Sequence, residues 1–281
     1  MSLLFTLEAL RFHKLKSERF VQLIFLITMV LNATQALFPL GDTDFSRLTE
    51  FIQEYPRFFT GRNSMFDPQK FVLTEMLTPG NYLFLASTLV LLLLNAYASI
   101  CYAAIYYGEK QGNSLRTSLL SLWHSLPKML LLALYLIVPV FLSALFFFIP
   151  LPFLLLQIYF VPLIFTDGKY RFTSGIERSR VLTNGIKMTI FLSWLGIQLL
   201  ITLGRSIGEA IIPPGEVGRI LVASFITTIG VLMKGRLMGA YYMAFSRRLG
   251  PLSVEQVEDI RDLMRNEWSK DKRSDDDNER R

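Results

Sequence analysis

The chain alternates between long apolar blocks and short segments rich in Lys and Arg. Six blocks approach the length of about 20 residues that a helix needs to cross the hydrocarbon layer of a membrane. They cover residues 20–40, 81–107, 129–148, 151–165, 188–203 and 220–245. Because lipid offers no partners to backbone N–H and C=O groups, each block is predicted to be a helix. The pattern predicts an all-α polytopic membrane protein with six transmembrane helices, of which the fourth and fifth borrow flanking residues.

Three of the blocks are preceded by an amphipathic segment with a basic face. In the last such segment, Ser174 and Glu177 have the spacing of a capping box, and Asn184 and Gly185 form a typical helix stop. The apolar positions of the two earlier segments are Leu3, Leu4, Leu7 and Leu10, and Leu115, Leu119, Leu122, Trp123 and Leu126. Basic amphipathic helices lie at the membrane surface and contact anionic lipid headgroups. The order of amphipathic segments and apolar blocks along the chain predicts three repeats, each an interfacial amphipathic helix followed by a two-helix hairpin.

Composition and charge agree with a membrane protein and indicate its orientation. The chain is 52% hydrophobic and 19% charged, whereas soluble domains are about 45–50% apolar and about 25% charged. The N-terminal segment, the loops after the second and fourth blocks and the C-terminal tail together contain 21 Lys and Arg residues, and the loops on the other side contain six. The positive-inside rule then places both termini in the cytoplasm.

A secretory signal peptide is the alternative interpretation of the first block. Residues 33–36, with the sequence ATQA, have the small side chains of a weak cleavage site. However, the basic region before the block is long, and the apolar run exceeds the roughly 7–15 residues of a signal peptide. The first block is therefore predicted to be an uncleaved transmembrane helix.

The chain is predicted to contain one membrane domain and a short cytoplasmic tail. Residues 1–250 form the six-span domain, with an outer loop at 41–80. Apolar residues recur at helical spacing within 251–269, which predicts a cytoplasmic amphipathic helix. Residues 270–281 mix acidic and basic side chains and are predicted to be disordered.

Residue types that usually carry catalysis or bind metals are sparse. The chain has two His and one Cys, Cys101, and contains no H-E-x-x-H, G-x-S-x-G or P-loop pattern. No predicted span contains a pair of carboxylates for acid–base chemistry. We therefore expect no enzymatic activity, no catalytic residue, no metal site and no cofactor. The sequence pI of 9.4 reflects charge at the inner leaflet and does not indicate nucleic-acid binding.

Two cations, Lys234 and Arg236, interrupt the last apolar block. Each costs about 2.5–3.5 kcal/mol at the centre of a membrane helix, and no acidic residue in a predicted span can neutralise them. In one hypothesis both side chains extend to the inner headgroups. In the other they face an internal cavity and bind an anion such as a lipid phosphate. Side chains two positions apart point roughly 200° away from each other, so convergence requires local unwinding near Gly235.

A resemblance to a known family lies between the fourth and fifth blocks. The sequence PLIFTDG at 162–168 is followed by SGIERSRVLTNG at 174–185. These segments resemble the signature of a bacterial superfamily of six-span membrane proteins, which includes the membrane domain of some glycerophosphodiester phosphodiesterases and related uncharacterised membrane proteins. The matching positions are Pro162, Asp167, Ser179, Leu182, Thr183 and Gly185. The resemblance implies a bacterial plasma-membrane protein, and we expect no catalytic site, since the 36 residues after Phe245 are too few for a phosphodiesterase domain.

These features lead to two functional hypotheses. The first is a non-catalytic integral plasma-membrane protein that acts as a scaffold, regulatory or accessory subunit. Its partners are the lipid bilayer, anionic lipid headgroups and another membrane protein. The alternative is a small permease or a lipid- or anion-handling protein that uses Lys234 and Arg236. Transporters usually have polar or broken spans near the membrane midplane, and the first four blocks are strongly apolar, which favours the first hypothesis.

Overall fold

The structure, a computed structural model, describes residues 1–49, 77–144, 150–211 and 215–246. Regular structure in these residues is entirely helical, and they contain no strand, which confirms the predicted all-α class. The helices of six or more residues are α1 (Ser2–Leu10), α2 (Glu18–Leu37), α3 (Pro79–Lys110), α4 (Leu115–Ala144), α5 (Leu151–Gln157), α6 (Val161–Thr166), α7 (Phe172–Thr183), α8 (Lys187–Ile211) and α9 (Glu216–Phe245). The predicted tail segments 251–269 and 270–281, and most of the outer loop, lie outside the described residues.

Five of these helices are long and apolar enough to cross a membrane. They are α2, α3, α4, α8 and α9, which correspond to the first, second, third, fifth and sixth predicted blocks. Their length and composition indicate a membrane-embedded protein with several spans. The fourth block differs, because it forms two short helices, α5 with seven residues and α6 with six. Each covers only about 9–11 Å at 1.5 Å per residue, so the fourth predicted span is not one continuous helix.

The N-terminal helix α1 packs inside the bundle, against α8 and α9. Phe5 and Ala9 are fully buried, and the Phe5 ring stacks on the Tyr241 ring of α9 with centroids 3.8 Å apart. The leucine face that was predicted to hold this helix on the membrane points outward, since Leu3 is 68% exposed. Outward-facing leucines are what contact with lipid requires, so the membrane contact stays a prediction. The opposite face, with Phe5 and Ala9, packs against α8 and α9.

The second amphipathic segment is continuous with the third apolar block. Both belong to α4, which contains Pro127 and Pro139. Each proline removes one backbone hydrogen bond, and the helix nevertheless continues through both positions. Leu122 is buried while its neighbour Trp123 is 70% exposed, so the first half of α4 packs on the bundle through one face.

The third amphipathic segment, α7, has a confirmed end and an unexpected start. The helix begins at Phe172 after the N-cap residue Arg171, so the predicted capping box at its start is wrong. Ser174 instead donates a hydrogen bond to the Arg171 carbonyl. The predicted stop is confirmed, because α7 ends at Thr183 and Gly185 has a φ of +82°, a conformation that favours glycine.

Helices α3 and α9 approach each other closely through small residues. A Cβ atom added to Gly235 would lie 2.5 Å from the Ser99 carbonyl oxygen, and one added to Gly239 would lie 3.1 Å from that of Ala103. Small residues four positions apart on both helices therefore allow the backbones to approach, as in other membrane helix pairs. Helix α9 is unbroken, so these glycines serve helix packing and not the local unwinding that convergence of the two cations would require.

The large buried side chains concentrate in the half of the bundle that carries the basic segments. The fully buried aromatic residues on α3, α9 and the α5–α6 turn are Tyr102, Tyr106, Phe160, Tyr241 and Phe245. The other halves of α3 and α4 expose their apolar side chains to the surroundings. This arrangement is typical of helices surrounded by lipid or by other membrane helices, because neither environment is aqueous.

Candidate functional site

The best-defined charged site in the described residues is an ion pair between α9 and α1. Arg236, one of the two cations in the last span, is 2% exposed. Its Nε and Nη2 atoms donate to the same oxygen, Oε1 of Glu8, at 3.1 and 2.6 Å. Its Nη1 atom donates to the Lys14 carbonyl at 2.8 Å. The charge of Arg236 is therefore neutralised within the chain.

Two tyrosines of α3 complete the surroundings of this ion pair. The guanidinium carbon of Arg236 lies 4.7 Å from the centroid of the Tyr106 ring, within the range of a cation–π contact. The Tyr106 hydroxyl donates to Oε1 of Glu8 at 3.4 Å, and the Tyr102 hydroxyl donates to the Phe12 carbonyl. The result is a buried polar network that joins α1, α3 and α9. In a low-dielectric environment such a network strongly favours one arrangement of these helices, because a polar group that loses its partner there costs free energy.

Contacts at both ends of the N-terminal segment position Glu8. The Ser193 hydroxyl of α8 donates to the Ser2 carbonyl at 3.0 Å. The chain that follows α1 is held at the end of α3, where the Glu109 carboxylate accepts hydrogen bonds from the backbone N–H groups of Lys16 and Ser17 at 2.9 and 2.8 Å. With α1 fixed between these two points, its buried face presents Glu8 to α9.

The second cation of the last span, Lys234, lies on a different face of α9. Its Nζ atom is 5.5 Å from the centroid of the Trp194 ring on α8, and its side chain is half-buried. It has no carboxylate or hydrogen-bond partner among the residues that the structure describes. The divergence of Lys234 and Arg236 follows from their spacing on an unbroken helix, and the two side chains do not converge on one ligand.

Sequence reasoning did not identify Glu8 as the partner of Arg236. The search for a neutralising acid was restricted to the predicted spans, and Glu8 lies in a segment that was predicted to rest on the membrane surface. A signal was present, since Glu8 is the only acidic residue among the first 17 residues of the chain. One acid in an otherwise apolar and basic segment indicates a specific partner, because burial of an isolated carboxylate is costly.

Ser179, a member of the family-like motif, connects α7 to the break in the fourth block. Its hydroxyl donates to the Gln157 carbonyl at 2.8 Å and accepts a hydrogen bond from the Phe160 backbone N–H at 3.2 Å. These two groups lie where α5 ends and α6 begins, so they lack helical partners. Ser179 and Phe160 are both fully buried. One side chain thus satisfies both the acceptor and the donor that the helix break leaves open.

Substitution of Ser179 by alanine is expected to destabilise the protein, because it leaves the buried Phe160 N–H and the partly buried Gln157 carbonyl without this partner. Each such group costs about 1–3 kcal/mol. The measurement is thermal unfolding in detergent, with Ser174→Ala as the matched control on the same helix, where the hydroxyl contacts only the more exposed Arg171 carbonyl. Equal melting temperatures for the two variants would show that Ser179 does not support the break.

The motif residue Asp167, and Arg178 beside the motif residue Ser179, join the α6–α7 region to the end of α9. The Tyr242 hydroxyl of α9 donates to Oδ2 of Asp167 at 2.7 Å. Nη2 of Arg178 donates to the Ser246 carbonyl at 2.9 Å. The remaining motif members are either buried or in the turn after α7, namely Pro162, Leu182, Thr183 and Gly185. The structure thus brings the motif together in one region, where its members make packing and hydrogen-bond contacts.

Burial raises the pKa of the Asp167 carboxyl above its usual value, although the hydrogen bond from Tyr242 acts in the opposite direction. A raised pKa in the folded state stabilises the protein fully below the unfolded pKa of about 4, and this contribution is lost as the pH rises through the folded pKa. An Asp167→Asn variant stays neutral and keeps an acceptor for Tyr242. Its stability relative to wild type should therefore increase from about pH 4 to pH 7.

Unfolding of wild type and Asp167→Asn at several pH values in one detergent measures this difference. A stability difference that stays constant over this pH range, or that falls as the pH rises, would contradict the raised pKa. Asp44→Asn is the control, because the pKa of Asp44 is shifted in the opposite direction. Hydrogen bonds from Ser46 lower the pKa of Asp44, so the difference should have the other sign.

Comparison with known proteins gives no assignment for this arrangement. No protein-family model, no curated protein and no solved structure matches the chain. The resemblance seen in residues 162–185 therefore stays an expectation, and the interpretation of the site depends on its own geometry. Among the described residues, no group of three or more His, Cys, Asp and Glu side chains is arranged to hold a metal ion.

Proposed function

We propose that the protein is a non-catalytic integral membrane protein that acts as a scaffold, regulatory or accessory subunit of a membrane process. The observation that carries this proposal is that the Arg236 guanidinium already binds the Glu8 carboxylate and the Lys14 carbonyl. The strongest candidate for binding a mobile anion in the last span is thereby occupied by the chain itself. The role proposed for Arg236 is to hold the N-terminal helix α1 in the bundle.

The outward-facing apolar surface gives further support. Leu92, Leu93 and Leu94 are consecutive residues of α3 and are 64%, 49% and 42% exposed. Most of the circumference of this part of the helix is therefore uncovered, while one face contacts α2, where Asn95 hydrogen-bonds to Asn32. An uncovered apolar surface lies within lipid or against other membrane helices. Such a surface suits a subunit that lies beside another membrane protein.

The charge distribution supports an orientation with both termini in the cytoplasm. The resemblance described above supports a bacterial plasma membrane. The basic segments then lie at the inner leaflet, where Lys and Arg side chains attract anionic lipid headgroups. In this orientation the Glu8–Arg236 pair lies in the cytoplasmic half of the bundle.

The alternative function, a permease or an anion-handling protein, now depends on Lys234. The test is anion efflux from proteoliposomes that contain wild-type protein or Lys234→Ala, with protein-free liposomes as the reference. The accessory role predicts the same efflux from all three, and it predicts that the gently extracted protein carries a second membrane protein in fixed stoichiometry, retained in Lys234→Ala. Efflux that wild type supports and Lys234→Ala abolishes would overturn the proposal.

A further inference from the structure

A polar cleft lies at the end of the bundle opposite the Glu8–Arg236 pair. It has a volume of about 380 Å³ and is formed by α2, α8 and α9. Its polar lining residues on α8 and α9 include Arg205, Glu209, Arg219 and Ser224. Arg219 and Arg236 are 17 residues apart on α9, which corresponds to about 25 Å. The cleft is therefore separate from the ion pair and from Lys234.

The cleft carries an excess positive charge. Arg205 and Glu209 neutralise each other, with Nε of Arg205 donating to Oε1 of Glu209 at 2.7 Å. Arg219 lies on the opposite wall, is exposed, and makes no hydrogen bond or ion pair with any residue in the described part of the chain. Its guanidinium, with a planar array of N–H donors, is thus available to an anion.

Below Arg219, the Ser224 hydroxyl is a buried polar group without a partner. Ser224 is 5% exposed and lines the cleft, and its hydroxyl makes no hydrogen bond within the described residues. The neighbouring Thr227 and Thr228 differ, because their hydroxyls donate to carbonyl groups one turn earlier on α9. Asn32, on the α2 wall, donates to Asn95 and to the Thr28 carbonyl. Buried polar groups in proteins are nearly always hydrogen-bonded, so the free hydroxyl of Ser224 indicates a ligand.

We propose that this cleft binds a phosphate ester, with Arg219 on the phosphate oxygens and Ser224 donating to an oxygen deeper in the cleft. Arginine matches phosphate geometry through two parallel N–H donors. Ser224 lies about 7.5 Å further along α9 than Arg219, so the two side chains contact the ligand at different depths of the cleft. The headgroup of a glycerophospholipid and a water-soluble phosphate ester share this chemistry. The inference does not depend on the accessory role.

Native mass spectrometry of the full chain in detergent tests the site, with short-chain phosphatidylglycerol as the probe. Wild type should bind one equivalent. Arg219→Gln and Ser224→Ala should each weaken binding by about tenfold or more. The matched controls are Arg47→Gln, an exposed arginine of the outer loop, and Ser206→Ala, an exposed serine of α8, and both should bind as wild type does. Unchanged melting temperatures show that the variants are folded.

Competition by inorganic phosphate separates the two sources of the ligand. Displacement of the lipid by millimolar phosphate supports a water-soluble phosphate ester, and persistence of the lipid supports a phospholipid headgroup. Equal lipid binding by wild type, Arg219→Gln and Ser224→Ala would overturn the proposal. The proposal also fails if neither probe binds. It fails as well if Arg47→Gln weakens binding as much as Arg219→Gln does, because the interaction would then be one of general surface charge.

Discussion

Replacement of Glu8 by alanine is expected to destabilise the protein by about 3–5 kcal/mol, the range for removing one partner of a buried ion pair. Arg236 would remain buried with its charge uncompensated, since the Lys14 carbonyl and the Tyr106 ring that still contact it are not anionic. The expected result is a much lower melting temperature in detergent and a reduced yield of monodisperse protein. Residues 2–10 should also become accessible to proteases, because α1 loses its polar anchor in the bundle.

Glu209→Ala is the matched control, since it removes the acid from another Arg–Glu pair, Arg205–Glu209. Its N–O distance of 2.7 Å is close to the shortest one in the buried pair, 2.6 Å, but its side chains are 57% and 38% exposed. Exposed pairs contribute about 1 kcal/mol or less. Equal destabilisation by Glu8→Ala and Glu209→Ala would contradict a special role for the buried pair.

Substitution of Gly235 by alanine is expected to separate α3 from α9 and to destabilise the protein by about 1–3 kcal/mol through overpacking. The added Cβ atom would lie 2.5 Å from the Ser99 carbonyl oxygen and 3.0 Å from the Tyr102 Cβ atom. A backbone carbonyl in the middle of α3 cannot move alone, so the two helices must shift. Gly235→Val should have a larger effect. Thermal unfolding and the fraction of correctly folded protein measure both.

Gly204→Ala on α8 is the matched control for the α3–α9 contact. A Cβ atom there meets only the Ile226 Cγ2 atom at 3.7 Å, an ordinary van der Waals distance. Because glycine in a helix interior is itself unfavourable by roughly 0.5–1 kcal/mol relative to alanine, this variant should be neutral or slightly stabilised. If Gly204→Ala and Gly235→Ala have the same effect, close packing at Gly235 is not important for stability.

The apolar blocks predicted the spanning helices because length and hydrophobicity are local properties. The break in the fourth block could not be predicted in this way. Its open backbone groups at Gln157 and Phe160 are satisfied by Ser179, about 20 residues further along the chain. The serine was noticed through a resemblance, and its physical role became evident only from the contacts. In membranes, such a break depends on partners from elsewhere in the protein.

The ion pair was difficult to predict for a similar reason. Glu8 and Arg236 are separated by 228 positions, and nothing in the local pattern of α1 shows which neighbour its acid contacts. The leucines of α1 suggested a surface helix, whereas Phe5 and Ala9 decide how it packs. By contrast, the divergence of Lys234 and Arg236 followed directly from helical geometry. Local periodicity therefore predicted in which direction side chains point from a single helix, while the contacts between helices distant in sequence became evident only from the structure.

The most direct test of an internally neutralised Arg236 is a double-mutant cycle with Glu8→Ala, Arg236→Met and the double variant. Methionine keeps an unbranched apolar side chain and removes the charge. If the two residues are partners, the double variant should be more stable than the sum of the single effects allows, with a coupling energy of about 2–3 kcal/mol. Additivity within about 0.5 kcal/mol would show that they do not interact, and Arg236 would then need a different anion.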